Sequence, residues 1–141
     1  MEKTTDELLE MMKNSATYAE YISKNGDVIT DTMKIDRVLS ALLEQKKLKK
    51  AAVIAASTIE VHYGYQIFSG EKTPSRDKVI MLCFGFGLTL EETQNLLKIT
   101  GYTQLYGKNF RDNAIIFAII KQLSIIELNL ILDELGLELL L

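Results

Sequence analysis

Histidine and cysteine, two residue types often used in acid–base, nucleophilic and metal chemistry, are scarce in this 141-residue chain. The chain has one histidine, His62, and one cysteine, Cys83. Neither a Ser/His/Asp nor a Cys/His arrangement typical of nucleophilic catalysis can be found in the sequence. A single cysteine also excludes an internal disulfide and a zinc knuckle built from several cysteines. We therefore expect no enzymatic activity, no cofactor and no bound metal.

Lysine side chains offer the clearest chemistry, because ammonium groups bind phosphate. The strongest cluster is the run Lys46-Lys47-Leu48-Lys49-Lys50. Residues 32–101 contain ten basic and seven acidic side chains, a net charge of +3. The net charge is −4 over residues 1–31 and −2 over residues 102–141. The lysine run is either a solvated loop or a phosphate clamp, and the basic middle third permits phosphate binding without requiring it.

The elements that must position these residues are predicted to be helices. Apolar residues recur at three- and four-residue spacing, Pro74 is the only proline, and no alternating pattern typical of strands occurs. Thr4 with Glu7 and Thr89 with Glu92 have the spacing of capping boxes. Glycines 26, 70, 87 and 101 fit helix C-termini. The predicted helices cover residues 4–12, 16–23, 35–47, 50–56, 60–69, 76–86, 89–100, 109–122 and 124–135.

The last two predicted helices repeat the two that precede them. A shift of 35 residues places Arg76–Leu105 on Arg111–Leu140 without a gap. The identical pairs are Arg76/Arg111, Asp77/Asp112, Ile80/Ile115, Leu88/Leu123, Glu92/Glu127, Leu97/Leu132, Gly101/Gly136 and Leu105/Leu140. Either a duplicated helical hairpin or convergence of two amphipathic hairpins on similar caps explains this match. In both cases the second hairpin needs its apolar face covered, and stacking on the first hairpin would do so.

The middle third contains a recognisable succession of segments. Leu42–Leu48, Lys49–Ala56 and Ile59–Gly70 have the spacing of three consecutive short helices. Gln66–Ser75 then combines a helix end, a Gly stop, a polar loop and a Pro-Ser helix start, and Leu88–Glu92 is a polar entry to a further helix. This succession resembles the lambda-repressor-like helix-turn-helix family of bacterial and phage DNA-binding regulators.

The resemblance implies an all-α fold with a five-helix helix-turn-helix core over about residues 34–101. Two short N-terminal helices would precede this core, and a C-terminal helical hairpin that repeats the core's fourth and fifth helices would follow it. The expected organisation is an acidic N-terminal extension (1–31), a DNA-binding-like domain (32–101) and the C-terminal hairpin (102–141, a repeat of 76–105).

The resemblance also implies which residues contact DNA, since the family inserts the third helix of its core into the major groove. The residues placed near base edges are Glu60, Val61, His62, Tyr63 and Gln66. Lys49 and Lys50 would contact phosphate at the start of the second helix. Lys72, Thr73 and Arg76 would lie on the other side of the same groove.

Three positions depart from the family pattern. The third helix has no Lys or Arg between Glu60 and Ser69, although Arg to guanine is the commonest specific base contact. Gly64 stands where the family commonly has a buried aliphatic residue, and Lys50 stands where a Gln often begins the second helix. The first and the last of these departures concern the surface that would meet DNA, whereas Gly64 concerns a buried position.

Two classes of function follow from these patterns. The first is a sequence-specific regulator of transcription, a repressor, that binds double-stranded DNA as a homodimer on two half-sites. The alternative is a protein-interaction module that reuses the helix-turn-helix scaffold, because a scaffold does not define a function. A protein partner could also bind the N- or C-terminal extension.

The location of the protein is predicted from its polarity. The longest uncharged run, Val79–Leu90, has 12 residues, whereas a helix that crosses a bilayer needs ~20 apolar residues. The polar, acidic start is unlike a secretory signal. We therefore expect a cytoplasmic protein that does not enter the membrane. The apolar tail Leu135–Leu141 is expected to be buried, either within the chain or at a dimer interface.

Overall fold

A computed structural model of the chain describes residues 4–25 and 32–141, and the regular structure in these ranges is entirely helical. This confirms the prediction of an all-α protein for the described residues. The chain divides into two units, one that ends at Thr32 and one that runs from Met33 to Leu141. No helix in the described ranges is long and apolar enough to cross a membrane.

The first unit contains two short helices, α1 (Thr5–Asn14) and α2 (Tyr18–Asn25). The Thr4 hydroxyl caps α1 by accepting a hydrogen bond from the Glu7 N–H at 3.1 Å, as the capping pattern predicts. The Ser15 hydroxyl donates to the Met11 carbonyl at the other end of this helix. The stop predicted at Gly26 lies outside the described residues.

The second unit contains the remaining helices of the described chain. They are α3 (Ile35–Lys46), α4 (Lys50–Ala56), α5 (Val61–Ser69), α6 (Arg76–Phe86), α7 (Leu90–Ile99), α8 (Phe110–Ile120) and α9 (Ile125–Glu134). They agree with the predicted helices to within one or two residues. The differences at the helix starts arise because Glu60, Thr89, Asn109 and Ser124 act as N-caps and therefore precede the first helical residue. The differences at the helix ends arise because the predicted ranges include the C-cap residues.

The core of this unit includes residues from α3 to α9, among them Leu39, Val53, Ile67, Leu82 and Leu132, all with at most 1% of their surface exposed. Helices α4 and α6 approach each other closely at Gly85 of α6. A Cβ at this position would lie 2.5 Å from the Val53 carbonyl oxygen and 3.0 Å from the Ser57 Cβ. Only a glycine therefore lets α6 pack directly on the backbone of α4.

The two C-terminal hairpins, α6–α7 and α8–α9, are joined by reciprocal ion pairs. Arg76 binds Asp112, and Arg111 binds Asp77, each at 2.9 Å. Each guanidinium also donates to two carbonyls, those of Thr103 and Gln104 for Arg76 and those of Glu138 and Leu139 for Arg111. Every residue in the first set of contacts has an equivalent in the second set that lies 35 residues later, as Thr103 and Glu138 do. This separation is the shift of the sequence repeat.

Other contacts recur with the same shift. The Gln94 side chain forms two hydrogen bonds with the Leu105 backbone, and the Asn129 side chain forms two with the Leu140 backbone. Thr89 with Glu92 and Ser124 with Glu127 both form complete capping boxes. Arg76 of the first hairpin binds Asp112 of the second, and Arg111 of the second hairpin binds Asp77 of the first. Such reciprocal contacts are typical of two copies related by a twofold axis. The hairpins therefore form an internal pseudo-dimer, which supports the duplication interpretation.

The apolar tail is partly packed inside the chain. Leu140 has no exposed surface and belongs to the core. The Lys78 ammonium group donates to the Leu141 carbonyl at 2.8 Å. Leu135 and Leu141 are 52% and 76% exposed. Leu140 is therefore buried within the chain, which is one of the two expected modes of burial, whereas the two ends of the tail are open to solvent.

Candidate nucleic-acid interface

The segment α4–turn–α5 contains most of the predicted DNA contacts, and its turn is built from four residues, Ser57 to Glu60. The buried Ser57 hydroxyl donates to the Ile54 carbonyl at 2.7 Å and accepts from the Ile59 N–H at 3.4 Å. Thr58 has a φ of 60°, in the left-handed region that β-branched residues rarely adopt. Ile59 is 4% exposed and anchors the turn in the core.

Close packing between α4 and α5 depends on Gly64. A Cβ on Gly64 would lie 2.7 Å from Cγ2 of Ile54, whose own side chain is 1% exposed. Ile54 thus occupies the space that an aliphatic side chain at position 64 would need. Ile67 and Phe68 are buried on the same side of α5, so the opposite side of this helix faces solvent.

Glu60 has a structural role that the sequence patterns do not indicate. Its carboxylate accepts hydrogen bonds from the His62 N–H at 3.0 Å and the Tyr63 N–H at 2.7 Å. These backbone hydrogen bonds, first that of Tyr63 and then that of His62, lower the pKa of the Glu60 carboxyl below its ordinary value. The charge is fixed at the start of α5, and a carboxylate with two such bonds still has lone pairs able to accept from a base.

The solvent-facing side of α5 is mainly apolar, aromatic and amide in character. Val61 is 60% and Tyr65 is 42% exposed, His62 is exposed, and Tyr63 and Gln66 are half-buried. Tyr65 is not among the predicted contacts, although it lies four residues after Val61 and therefore on the same helix face. This spacing is the signal that could have identified it. The Lys78 ammonium group lies 5.8 Å from the centre of the Tyr63 ring, so Tyr63 is partly engaged within the chain.

Lysines lie beside this face without belonging to α5. Lys49 is exposed and precedes α4 as its N-cap. The Lys50 ammonium group lies 5.9 Å from the Tyr65 ring centre and 5.7 Å from that of Phe68, which holds it against α5. Lys72 and Thr73 are exposed in the loop after α5, where the Lys72 N–H donates to the Gln66 carbonyl. Positive charge is thus available near the start of α4 and beyond the end of α5.

Two basic residues near these segments are engaged elsewhere. Lys46 forms a 2.8 Å ion pair with Glu92 of α7. Arg76 uses four of its five N–H donors on Asp112 and the Thr103 and Gln104 carbonyls. The structure therefore gives Arg76 a different role from the predicted DNA contact, because its guanidinium joins the two hairpins. The aspartate that Arg76 binds lies 36 residues away in the sequence. A local spacing pattern therefore could not predict this contact.

No group of three or more His, Cys, Asp and Glu side chains able to hold a metal ion occurs in the described parts of the chain. Cys83 is buried in α6, and this burial raises the pKa of its thiol to about 12. A thiol protonated at neutral pH is a poor nucleophile, so Cys83 behaves as a core residue.

Comparison with known proteins gives no significant match to a family model, to a curated protein or to a solved structure. The resemblance to lambda-repressor-like regulators therefore stays a prediction from the residues that carry it.

Proposed function

We propose that this chain is a sequence-specific regulator of transcription in the cytoplasm, a repressor, that binds double-stranded DNA through α5. In this proposal α3–α7 form a lambda-repressor-like helix-turn-helix core. The observation that carries the proposal is the solvent-facing side of α5 with Lys49, Lys50 and Lys72 beside it. The major groove of B-DNA admits one α-helix, and lysines on either side of such a helix reach the phosphates.

Affinity and specificity would come from different residues. Because α5 has no Lys or Arg, the attraction to phosphate depends on Lys49, Lys50 and Lys72, which contact DNA of any sequence. Base reading then falls to uncharged or acidic groups of α5. The Gln66 amide can bind adenine, Glu60 can accept from the cytosine amino group, and Val61 can contact a thymine methyl group.

A protein-interaction module is the second candidate, and a specific observation favours it. The face of α5 exposes Val61 and Tyr65 without a positive charge, and aromatic and aliphatic side chains are typical of the centre of protein interfaces. In addition, Lys46 and Arg76 are engaged in ion pairs within the chain. A protein partner would dock on the same side of α5 that we assign to DNA.

Selection of genomic fragments by binding, followed by sequencing, provides the duplex with which the proposal is tested. The double variant Lys49→Ala/Lys50→Ala should weaken binding to all duplexes similarly. It should also lower the slope of log affinity against log salt by about two, near one per phosphate contact. Gln66→Ala should leave that slope unchanged and lose roughly 1–3 kcal/mol on the selected sequence only.

The matched control is Lys98→Ala/Lys108→Ala, which removes the same charge from two exposed lysines outside this face. This control should retain the salt slope of the unmodified chain. An equal loss of slope in both double variants would show attraction to net charge alone. If no duplex binds below about 10 micromolar at low salt, where even non-specific binding is measurable, the DNA proposal is wrong and α5 is a protein-docking face.

A further inference from the structure

In the first hairpin, α6–α7, helix α4 packs on α6, and α3 lies beside α7 with a pocket between them. Gly85 of α6 contacts the backbone of α4 at Val53. Asn95 and Ile99 of α7 line a pocket of about 320 Å³ together with α3 residues such as Val38. Glu92 of α7 binds Lys46 of α3 at 2.8 Å. This hairpin face is therefore one that accepts other helices.

The second hairpin, α8–α9, exposes the corresponding face. The 35-residue shift relates Leu82, Gly85 and Asn95 to Phe117, Ile120 and Leu130, respectively. Leu82 is fully buried and Gly85 is half-buried, whereas their counterparts Phe117 and Ile120 are 50% and 60% exposed. Asn95 is exposed in the first hairpin, and its counterpart Leu130 is 64% exposed in the second. No helix of the second unit covers them. We name Phe117, Ile120 and Leu130 the open hairpin face.

The charges at the two ends of the open hairpin face are opposite. The 35-residue shift relates Phe86 to Lys121 and Ile99 to Glu134. In the first hairpin, Phe86 belongs to the core and Ile99 packs against it. Lys121 is the C-cap of α8, at the turn between the two helices, and Glu134 is the last residue of α9. The length of α9, roughly 15 Å, therefore separates the turn from Glu134. Both are exposed, and neither forms an ion pair within the described residues.

We propose that a second copy of this chain docks on the open hairpin face, with α9 antiparallel to its partner about a twofold axis. This arrangement brings the apolar side chains of both copies together and places each Lys121 beside the partner's Glu134. A face with an apolar centre and opposite charges at its ends is complementary to itself when it is rotated by half a turn. Arg111 and Asp112 of α8 bind the first hairpin, and the exposed Asp133 adds a second carboxylate beside Glu134.

The area agrees with a specific but weak dimer. The three side chains expose roughly 300 Å² of apolar surface per copy, taking full side chains at about 150–200 Å² each. With the usual apolar share of an interface, this corresponds to roughly 1,000 Å² of total buried area, near the lower limit for a specific complex. The inference follows from the repeat and does not depend on DNA binding, although a reader of two half-sites needs such a dimer.

Sedimentation equilibrium of the full chain tests the proposal. The unmodified chain should be dimeric at about 100 micromolar, a range in which contacts of crystal-packing size do not persist. Leu130→Glu should give a monomer, because it places two carboxylates in the apolar centre. Val61→Glu is the matched control, since Val61 on α5 has the same 60% exposure as Ile120, and this variant should stay dimeric.

Charge reversal tests the predicted register. Lys121→Glu and Glu134→Lys should each raise the dissociation constant about tenfold or more, because each replaces two attractive pairs by two repulsive ones. An equimolar mixture of these two variants should restore the dimer, since the mixed pair regains both attractions. Circular dichroism of each variant should match that of the unmodified chain.

Three results would overturn the proposal. A chain that stays monomeric at about 100 micromolar excludes a second copy as the occupant of the open hairpin face and leaves a different protein as the partner. A dimer that survives Leu130→Glu, or a mixture of the charge variants that fails to associate, excludes this interface or this register. A chain that dimerises as described but binds no duplex keeps this inference and removes the proposed function, so the two failures are distinguishable.

Discussion

At the residue scale, Thr58 is a position where the backbone conformation disfavours the side chain that is present. Its φ of 60° places a β-branched residue in the left-handed region, where a non-glycine residue costs roughly 1–2 kcal/mol. The turn nevertheless forms, because Ser57 and Ile59 on either side are buried and fix the path of the chain. Thr58 therefore retains strain that the packing of its neighbours offsets.

Thr58→Gly should raise the free energy of unfolding by about 1 kcal/mol, because glycine adopts this φ without steric cost. Urea denaturation followed by circular dichroism measures this change. The control is Thr73→Gly, at an exposed loop position without a positive φ, which should lower stability because glycine adds freedom to the unfolded chain. Equal destabilisation by both variants would contradict the assigned strain.

At the element scale, the contact between α4 and α5 depends on one small and one large residue. Gly64→Ala should lower the free energy of unfolding by roughly 1–3 kcal/mol, the usual cost of overpacking, since the added Cβ meets Ile54 at 2.7 Å. The double variant Ile54→Ala/Gly64→Ala should be more stable than the sum of the single changes predicts. Strict additivity would show that the two residues do not share this space.

The ion pairs between the hairpins provide a second test at this scale. Asp112→Asn should cost about 2–3 kcal/mol, as expected when a largely buried pair loses one member. Asp77→Asn should cost less, because the Asp77 side chain is 30% exposed and that of Asp112 only 10%. In addition, Asp112 accepts from the Tyr106 N–H. Chemical denaturation of both variants compares the two halves of the repeat, and a larger loss at Asp77 would contradict the structure.

Asp112 also contributes to the dependence of stability on pH. Burial opposes ionisation, but the hydrogen bonds from Arg76 and the Tyr106 N–H outweigh it and lower the pKa of Asp112 below its ordinary 3.8. A carboxyl with a lower pKa in the folded state stabilises the fold above its unfolded pKa, and this stabilisation is lost as pH falls through the folded pKa. Stability below pH ~4 should therefore decline less steeply in Asp112→Asn than in the unmodified chain.

The helices and their caps could be predicted from the sequence because their signals are local. Thr89 with Glu92 and the stop at Gly101 lie within a few residues of the ends they define. The capping role of Glu60 could not be predicted, since Glu is not a preferred N-cap. The partner of Arg76 is distant in sequence, so the resemblance alone assigned this arginine to DNA. The sequence repeats the Arg-Asp pair at 76–77 and 111–112. That each arginine binds the aspartate of the other hairpin becomes apparent only from the twofold relation between the hairpins.

At the scale of the whole molecule, the second unit combines a covered hairpin with an open copy of it. The α4–turn–α5 segment on the covered side presents α5 with lysines beside it, and the open hairpin face lies on the repeated copy. In the functions we propose, recognition belongs to the unique helices and self-association to the duplicated ones. The net charge of +3 over residues 32–101 agrees with recognition of an anionic partner by this part of the chain.

A titration of the ¹⁵N-labelled chain with a short duplex at low salt tests most directly whether α5 reads DNA. We predict that amide shifts change along the solvent-facing side of α5, at Val61, His62, Tyr65 and Gln66, and at Lys49 before α4. Amides of the open hairpin face should keep their positions. Shifts that change only outside α5, or no change at a duplex concentration where non-specific binding is expected, would contradict the assignment of this helix to DNA.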